Sequence, residues 1–121
     1  MGQSTDAILA YGFALPDEVP YEVEWDDDYE GFEEEAEKRL KAAGITGVHI
    51  TSHCSHDYPM YLLTTSSRTA WRGSPVIVDP RDMVAAPGAD GWDDKLRAGM
   101  TLLGLTSEQS APGWILCSDW S

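Results

Sequence analysis

One short stretch of the chain combines residue types that bind metals and activate nucleophiles. It contains His49, His53, Cys54, His56 and Asp57. A strand would place His49 and His53 on one side but about 13 Å apart at about 3.3 Å per residue, too far to hold one ion. A zinc site would then need His53 or Cys54 with His56 and Asp57, without the Cys and His pairings typical of such sites. We therefore expect turn or surface histidines, and we predict no metal and no cofactor.

Nucleophilic catalysis receives little support. Cys54 has a histidine neighbour, the minimum for an activated thiol, but a strand position beside Val48 and Ile50 is more typical of a small buried hydrophobic residue. The two cysteines, Cys54 and Cys117, are too few for a disulfide scaffold and fit reduced thiols. The chain also lacks a phosphate-binding loop, a dinucleotide fingerprint, a nucleophile elbow and H-E-x-x-H. We therefore predict that the protein is not an enzyme.

A second polar group follows at positions 66–72. Arg68 and Arg72 flank Trp71 and come just after Ser66 and Ser67. Arginine presents a bidentate fork that suits a phosphate or an acidic group. Pairing of these arginines with the protein's own acids is the alternative.

The net charge is concentrated in one segment. The 121 residues include 21 acids and 8 bases, for a net charge of −13. Twelve of the acids and none of the bases lie at positions 17–37, so the remaining residues have a net charge of only −1. A field of this sign repels nucleic acid, which excludes direct DNA or RNA binding and favours a basic partner.

The acidic segment, residues 17–37, is predicted to form an extended arm followed by the first helix. In its first half, apolar residues alternate with acids, at Val19, Tyr21, Val23 and Trp25. Further on, apolar residues recur every three or four positions, at Tyr29, Phe32, Ala36, Leu40 and Ala43. Asp27 or Asp28 can cap this helix and Gly44 can end it. A solvated helix face would explain about half of the acids without any partner.

Hydrophobic patterning elsewhere predicts one compact α+β domain spanning residues 1–121. Strands are expected at 6–15, with a bulge at Gly12, and at 47–54 and 58–65 as a hairpin, with a last strand at 112–117. Short strands at 69–72 and 76–78 are weaker predictions. A second helix, capped by Asp90 and ended by Gly104, carries apolar residues at Trp92, Leu96, Met100 and Leu103. The expected fold is an antiparallel or mixed sheet of four to five strands, with two helices packed on one face.

Several sequence blocks resemble a known family. They read MGQSTDAIL at 1–9, YG at 11–12, SHCS at 52–55, YPM at 58–60, AWRG at 70–73 and PGW at 112–114, with Leu116 and Trp120. Together they resemble a family of small uncharacterised proteins encoded by tailed bacteriophages and prophages. The resemblance covers most of the chain except the acidic segment. It implies a phage context and brings no assigned activity or catalytic residues.

Charge and context together predict a phage accessory protein that acts in the host cytoplasm. It would bind a host protein with a basic nucleic-acid-binding surface and inhibit a defence complex, in the manner of an anti-CRISPR. Acidic side chains would stand in for phosphates, and an aromatic residue would supply apolar anchorage. The predicted partner-binding residues are Glu22, Glu24, Trp25, Asp26, Asp27, Asp28, Tyr29, Glu30, Glu33, Glu34 and Glu37.

Other functions stay open at this point. One alternative is a small-molecule or metal-binding module that uses His53, Cys54, His56 and the patch at 68–72. Another is a virion or assembly accessory protein. Partial exposure is predicted for Trp25 and Trp120, which would also permit a homodimer. No membrane partner is expected, since the sequence contains neither a membrane span nor a secretory signal.

Overall fold

The computed structural model describes residues 5–16, 31–55 and 59–120. In chain order this part forms β1 (Thr5–Ala14), α1 (Gly31–Ala42), β2 (His49–Ser55), β3 (Pro59–Ala70), α2 (Pro80–Ala89), α3 (Trp92–Leu103) and β4 (Gly113–Trp120). The prediction of a single α+β domain with a mixed sheet is confirmed. The predicted arm and the N-cap of the first helix lie outside the described residues, as do His56 and Asp57.

The four strands form one sheet that closes on itself in the order β1-β3-β2-β4. β1 runs antiparallel to β3 and β4, and β2 runs antiparallel to β3 as the predicted hairpin. Closure comes from a parallel contact between β2 and β4, where Cys54 faces Asp119. Periodicity along a strand predicts which residues share a face but does not reveal such long-range pairing.

A bulge interrupts the pairing of β1 with β3. Tyr11 faces Ser66, whereas Gly12 faces Thr64, so Thr65 has no opposite residue. A β-carbon at Gly12 would lie 1.8 Å from the carbonyl oxygen of Leu63. Glycine therefore permits the close backbone approach at this bulge, which confirms the prediction for Gly12.

Side chains alternate between two hydrophobic clusters along β1. Ile8 and Ala10 pack with Leu62 in the interior of the closed sheet, while Tyr11 and Phe13 belong to the cluster beneath the helices. The helices contribute Phe32, Ala36 and Leu40 from α1 and Leu96 and Leu103 from α3 to this outer cluster. Each fully buried leucine adds about 1.5–3 kcal/mol of hydrophobic stabilisation. The helices thus cover one face of the sheet, as expected.

Two glycine helix stops are confirmed, but one predicted cap is wrong. Gly44 and Gly104 follow α1 and α3 with φ of +77° and +67°, a left-handed conformation that glycine adopts most easily. Asp90 does not cap α3. It ends α2, and Gly91 occupies the N-cap of α3 without a side-chain hydrogen bond.

The segment between β3 and α3 differs most from the predicted pattern. The expected strand at 69–72 is the end of β3 followed by a turn, in which Trp71 and Ser74 form an isolated bridge. The expected strand at 76–78 is irregular, and Ile77 is 91% exposed. α2 is a third helix where a loop was expected, with Asp79 as its N-cap. In the described part of the chain, no helix combines the length and the apolar character that crossing a membrane requires.

Candidate functional site

Three of the predicted partner-binding acids lie on α1. Glu33 and Glu34 occupy its first turn, where carboxylates interact favourably with the helix dipole, and Glu37 lies one turn further on. The other predicted partner-binding residues lie outside the described residues: Glu22, Glu24, Trp25, Asp26, Asp27, Asp28, Tyr29 and Glu30. Of the acidic segment, the described residues therefore include only positions 31–37, which lie on α1.

Glu37 is part of the fold's own hydrogen bonding. Its Oε1 accepts a hydrogen bond from the backbone N–H of Ile50 at 3.0 Å, and its Oε2 lies 3.2 Å from Nδ1 of His49. Two residues earlier, on another side of the helix, Glu35 pairs with Arg39 at 3.0 Å. The Glu37 contacts connect α1 to β2, and the Glu35–Arg39 pair compensates one charge within α1, so contacts inside the fold account for both glutamates.

His53 lies near the end of β2 that closes the sheet. Burial lowers the pKa of His53, and the nearby Asp119 carboxylate opposes this shift. Burial also raises the pKa of Cys117, and the same carboxylate reinforces that shift. His53 and Cys117 thus both interact with Asp119, and both favour their neutral forms.

Cys54 is not the buried hydrophobic residue that its strand position predicted. It is exposed and has a φ of +79°, an uncommon conformation for a residue with a β-carbon. Its side chain is therefore not held in the regular alternation of β2. Both cysteines are free. Among the described residues, no three His, Cys, Asp or Glu side chains come together in a way that would hold a metal ion.

A buried carboxylate lies at the same end of the sheet. Asp6 is 5% exposed and faces Asp119 across β1 and β4. Oδ1 of Asp6 has no hydrogen-bond partner among the described residues. Like charges directly opposite each other on neighbouring strands are destabilising. Nothing in the sequence pattern distinguished Asp6 from a residue at the start of a strand.

The tryptophans are distributed differently from the prediction. Trp71 is 62% exposed, although only Trp25 and Trp120 were expected at the surface. Trp25 lies outside the described residues, as does the side chain of Trp120. Trp92 and Trp114 surround a buried tyrosine instead.

That tyrosine, Tyr11, is the centre of an aromatic cluster. Its ring centroid lies 5.5 Å from that of Trp92 and 5.2 Å from that of Trp114. Its hydroxyl donates a hydrogen bond to Oδ1 of Asp93 at 2.5 Å. Burial, followed by the hydrogen bond and the charge of Asp93, raises the pKa of Tyr11 to about 12. The cluster therefore connects the start of α3 to the sheet.

A cleft of about 70 Å³ lies beside this cluster, between α2 and the outer face of the sheet. We call it the α2 cleft. Its apolar lining includes Leu9, Trp92 and Trp114, and its polar lining includes Ser66, Arg68, Asp79 and Asp82. The indole N–H of Trp114 donates to the carbonyl oxygen of Met83 at 2.8 Å, which holds α2 against β4. An apolar concavity with a few polar groups is typical of small-ligand sites.

The structure separates the two groups of the alternative binding module. Arg68 lines the α2 cleft, but His53 faces Met60 in the β2–β3 hairpin. Arg68 and Met60 are eight positions apart on β3, roughly 26 Å at about 3.3 Å per residue. His53 and Cys54 are therefore not brought to the arginine patch.

The α2 cleft was missed at the sequence level because α2 was missed. The local signal was Asp79 followed by Pro80, an N-cap residue before a proline at the first helical position. Comparisons of the chain with protein-family models, with curated proteins and with solved structures give no match. The resemblance to the phage family stays a prediction.

Proposed function

We propose that the protein is a phage accessory protein that binds a basic, nucleic-acid-handling host protein through its acidic segment. The observation that carries the proposal is the charge distribution. Positions 17–37 contain twelve acids and no base, while the rest of the chain is nearly neutral. A dense negative surface competes with nucleic acid for a basic channel, and its field also accelerates encounter with such a partner. The target would be a host defence complex in the cytoplasm, as for an anti-CRISPR.

The anchoring of α1 supports this proposal. Phe32 and Leu40 are 3% and 1% exposed, so the helix is fixed to the core through one side. Glu33 and Glu34 lie in its first turn, next to the remainder of the acidic segment in the chain. A partner that binds the segment would therefore bind next to a rigid element, which reduces the ordering cost of association.

The contacts of Glu37 make it a poor choice for testing the proposal by substitution. Its carboxylate is used by Ile50 and lies beside His49. Replacement of Glu37 would therefore change the fold as well as the charge. The sharper test addresses Asp26, Asp27 and Asp28, three consecutive acids.

The experiment is a pull-down of the tagged protein from host lysate at about 0.1 M and at about 0.5 M salt. Exposed charge contacts are much weaker at the higher salt concentration, because salt screens them. A variant with Asp26, Asp27 and Asp28 changed to lysine is compared with the unchanged protein. Captured proteins are identified, and duplex DNA is added as a competitor. We expect a nucleic-acid-binding protein that is lost at high salt, lost in the variant and displaced by the duplex.

A matched variant controls for net charge. Changing Asp90, Asp94 and Glu108 to lysine alters the charge by the same amount at exposed positions outside the acidic segment. This control should keep its partner, and thermal unfolding should show that both variants are folded. Equal loss of the captured partner in the two variants would show that net charge alone is responsible, which would contradict the proposal. Capture that survives the first variant, or recovery of the protein in phage particles, would also contradict it.

A further inference from the structure

The α2 cleft is lined by residues that lie outside the acidic segment in the sequence. Its apolar lining includes Leu9 from β1, Trp92 from α3 and Trp114 from β4. Two of these residues belong to the aromatic cluster around Tyr11, and Trp114 is also hydrogen-bonded to α2. The apolar part of the cleft is thus built from side chains held by contacts on several elements. Preorganised side chains of this kind lose little freedom when a ligand binds.

The polar groups of the α2 cleft differ in how many hydrogen bonds they form with other described residues. Asp79 accepts hydrogen bonds from the backbone and the guanidinium of Arg81. In contrast, no described residue forms a hydrogen bond with the side chain of Ser66 or Asp82. Arg68 donates from one terminal nitrogen to the carbonyl oxygen of Ile77 at 3.3 Å, which leaves its other donors unused among the described residues.

Arg68 and Asp82 line the same cleft without forming an ion pair. All ion pairs within 4.0 Å between described residues lie elsewhere. A positive and a negative side chain therefore line the cleft more than 4.0 Å apart, together with apolar side chains. A ligand that carries both charges can satisfy both groups at once, whereas an ion of one sign leaves one of them unpaired.

We propose that the α2 cleft binds a small zwitterion of the amino-acid class with a short aliphatic side chain. The guanidinium of Arg68 and the hydroxyl of Ser66 bind the carboxylate, since arginine donates to carboxylates in a planar fork. The carboxylate of Asp82 binds the ammonium group. The aliphatic side chain packs on Trp92 and Trp114. The cleft volume of about 70 Å³ is about half that of a cavity that holds benzene, which favours a side chain of three or four carbons.

The test is an NMR titration of the full-length, ¹⁵N-labelled protein with L-valine. The indole N–H signals of Trp92 and Trp114 report on the cleft. Isovalerate and isobutylamine serve as matched probes, because they keep the aliphatic group and lack the ammonium or the carboxylate, respectively. We expect saturable shifts with valine in the millimolar range and at least about tenfold weaker binding of either analogue, because each forms one charged contact fewer.

Two pairs of variants locate the binding groups. Arg68→Met and Asp82→Asn should each weaken valine binding at least about tenfold. The controls Arg72→Met and Asp94→Asn remove the same charges at exposed positions outside the cleft and should bind valine as the unchanged protein does. The proposal is overturned if valine produces no saturable shift by about 20 mM, if an analogue binds as well as valine, or if the controls weaken binding equally.

Discussion

Replacing Tyr11 with phenylalanine removes one hydroxyl from the aromatic cluster and leaves the ring in place. The hydroxyl donates to Asp93 at 2.5 Å, and Tyr11 is 7% exposed. A hydrogen bond to a charged group contributes about 1.5–3 kcal/mol. Because Asp93 is exposed and water can replace the hydroxyl at its carboxylate, the lower end applies. We expect the free energy of unfolding to fall by about 1.5 kcal/mol at pH 7.

The same contact predicts how this effect changes with pH. Burial and Asp93 raise the pKa of Tyr11 from 10.0 to about 12 in the folded protein. The unfolded chain therefore loses the Tyr11 proton first, and the stabilisation declines as pH rises from 10 towards 12. By about pH 11, easier deprotonation of Tyr11 in the unfolded chain lowers the free energy of unfolding by about 1.4 kcal/mol. The advantage of the unchanged protein over Tyr11→Phe should thus be complete at pH 8 and close to zero at pH 11.

The assay is urea unfolding at both pH values, followed by tryptophan fluorescence. Asp94→Asn controls for charge at the start of α3, because Asp94 is exposed and forms no hydrogen bond with a described residue. Asp93→Asn should keep much of the pH dependence, since burial is the largest cause of the Tyr11 shift. An advantage of equal size at pH 8 and pH 11 would refute the reasoning.

Three further predictions concern the sheet. Gly12→Ala should lower the free energy of unfolding by about 3 kcal/mol or more, because the added β-carbon would lie 1.8 Å from a carbonyl oxygen. The opposite residue, Gly113, has nothing within 4 Å of an added β-carbon, so Gly113→Ala should be tolerated. Equal urea midpoints for the two variants would contradict this prediction. Leu63 is 0% exposed, so Leu63→Ala should lower the free energy of unfolding in the same assay by about 2–5 kcal/mol. A decrease below about 1 kcal/mol would contradict this and would mean that the core collapses around the smaller side chain. Burial lowers the pKa of His53 below 6.5, so the unfolded chain binds its proton first and stability is lost as pH falls below 6.5. His53→Gln should lose less thermal stability than the unchanged protein between pH 7 and pH 5, and identical losses would contradict the burial of His53.

The elements that the sequence predicted well are those with a buried side. α1 and α3 place Phe32, Leu40, Leu96 and Leu103 in one cluster, and their spacing is visible in the sequence. Burial repeats with the period of the helix, so apolar spacing identifies such helices without knowledge of the fold. The same reasoning located the main strands, because alternate residues of β1 face different clusters.

α2 escaped prediction because it has no buried residue. Without an apolar stripe, its prolines and Gly88 resemble loop residues. The helix is held by its N-cap and by the contact of Trp114 with Met83, and only the cap has a local sequence signature. The α2 cleft is formed against this helix, so the sequence predicted Arg68 and Ser66 as a surface patch but not their inclusion in a cavity.

Cys54 shows a different limit of periodicity. A strand position two residues from Ser52 and four from Ile50 predicts a shared face. The backbone of Cys54 turns to a φ of +79° where β2 meets β4. The strand that Cys54 meets there is more than sixty residues away in the sequence, so no local pattern reveals this pairing. The exposure of Cys54 thus coincides with the point of sheet closure, which periodicity does not locate.

Three acids among the described residues accept hydrogen bonds from donors elsewhere in the fold. Asp79 accepts from the first turn of α2, Asp93 from Tyr11 and Glu37 from Ile50. In the sequence, the six acids at positions 22–30 belong to a stretch of 21 residues without a single base. Their mutual interactions along the chain are repulsive, and repulsion of this kind opposes compaction. A basic surface would relieve that repulsion, so under the proposed function these charges would favour the complex over the isolated protein.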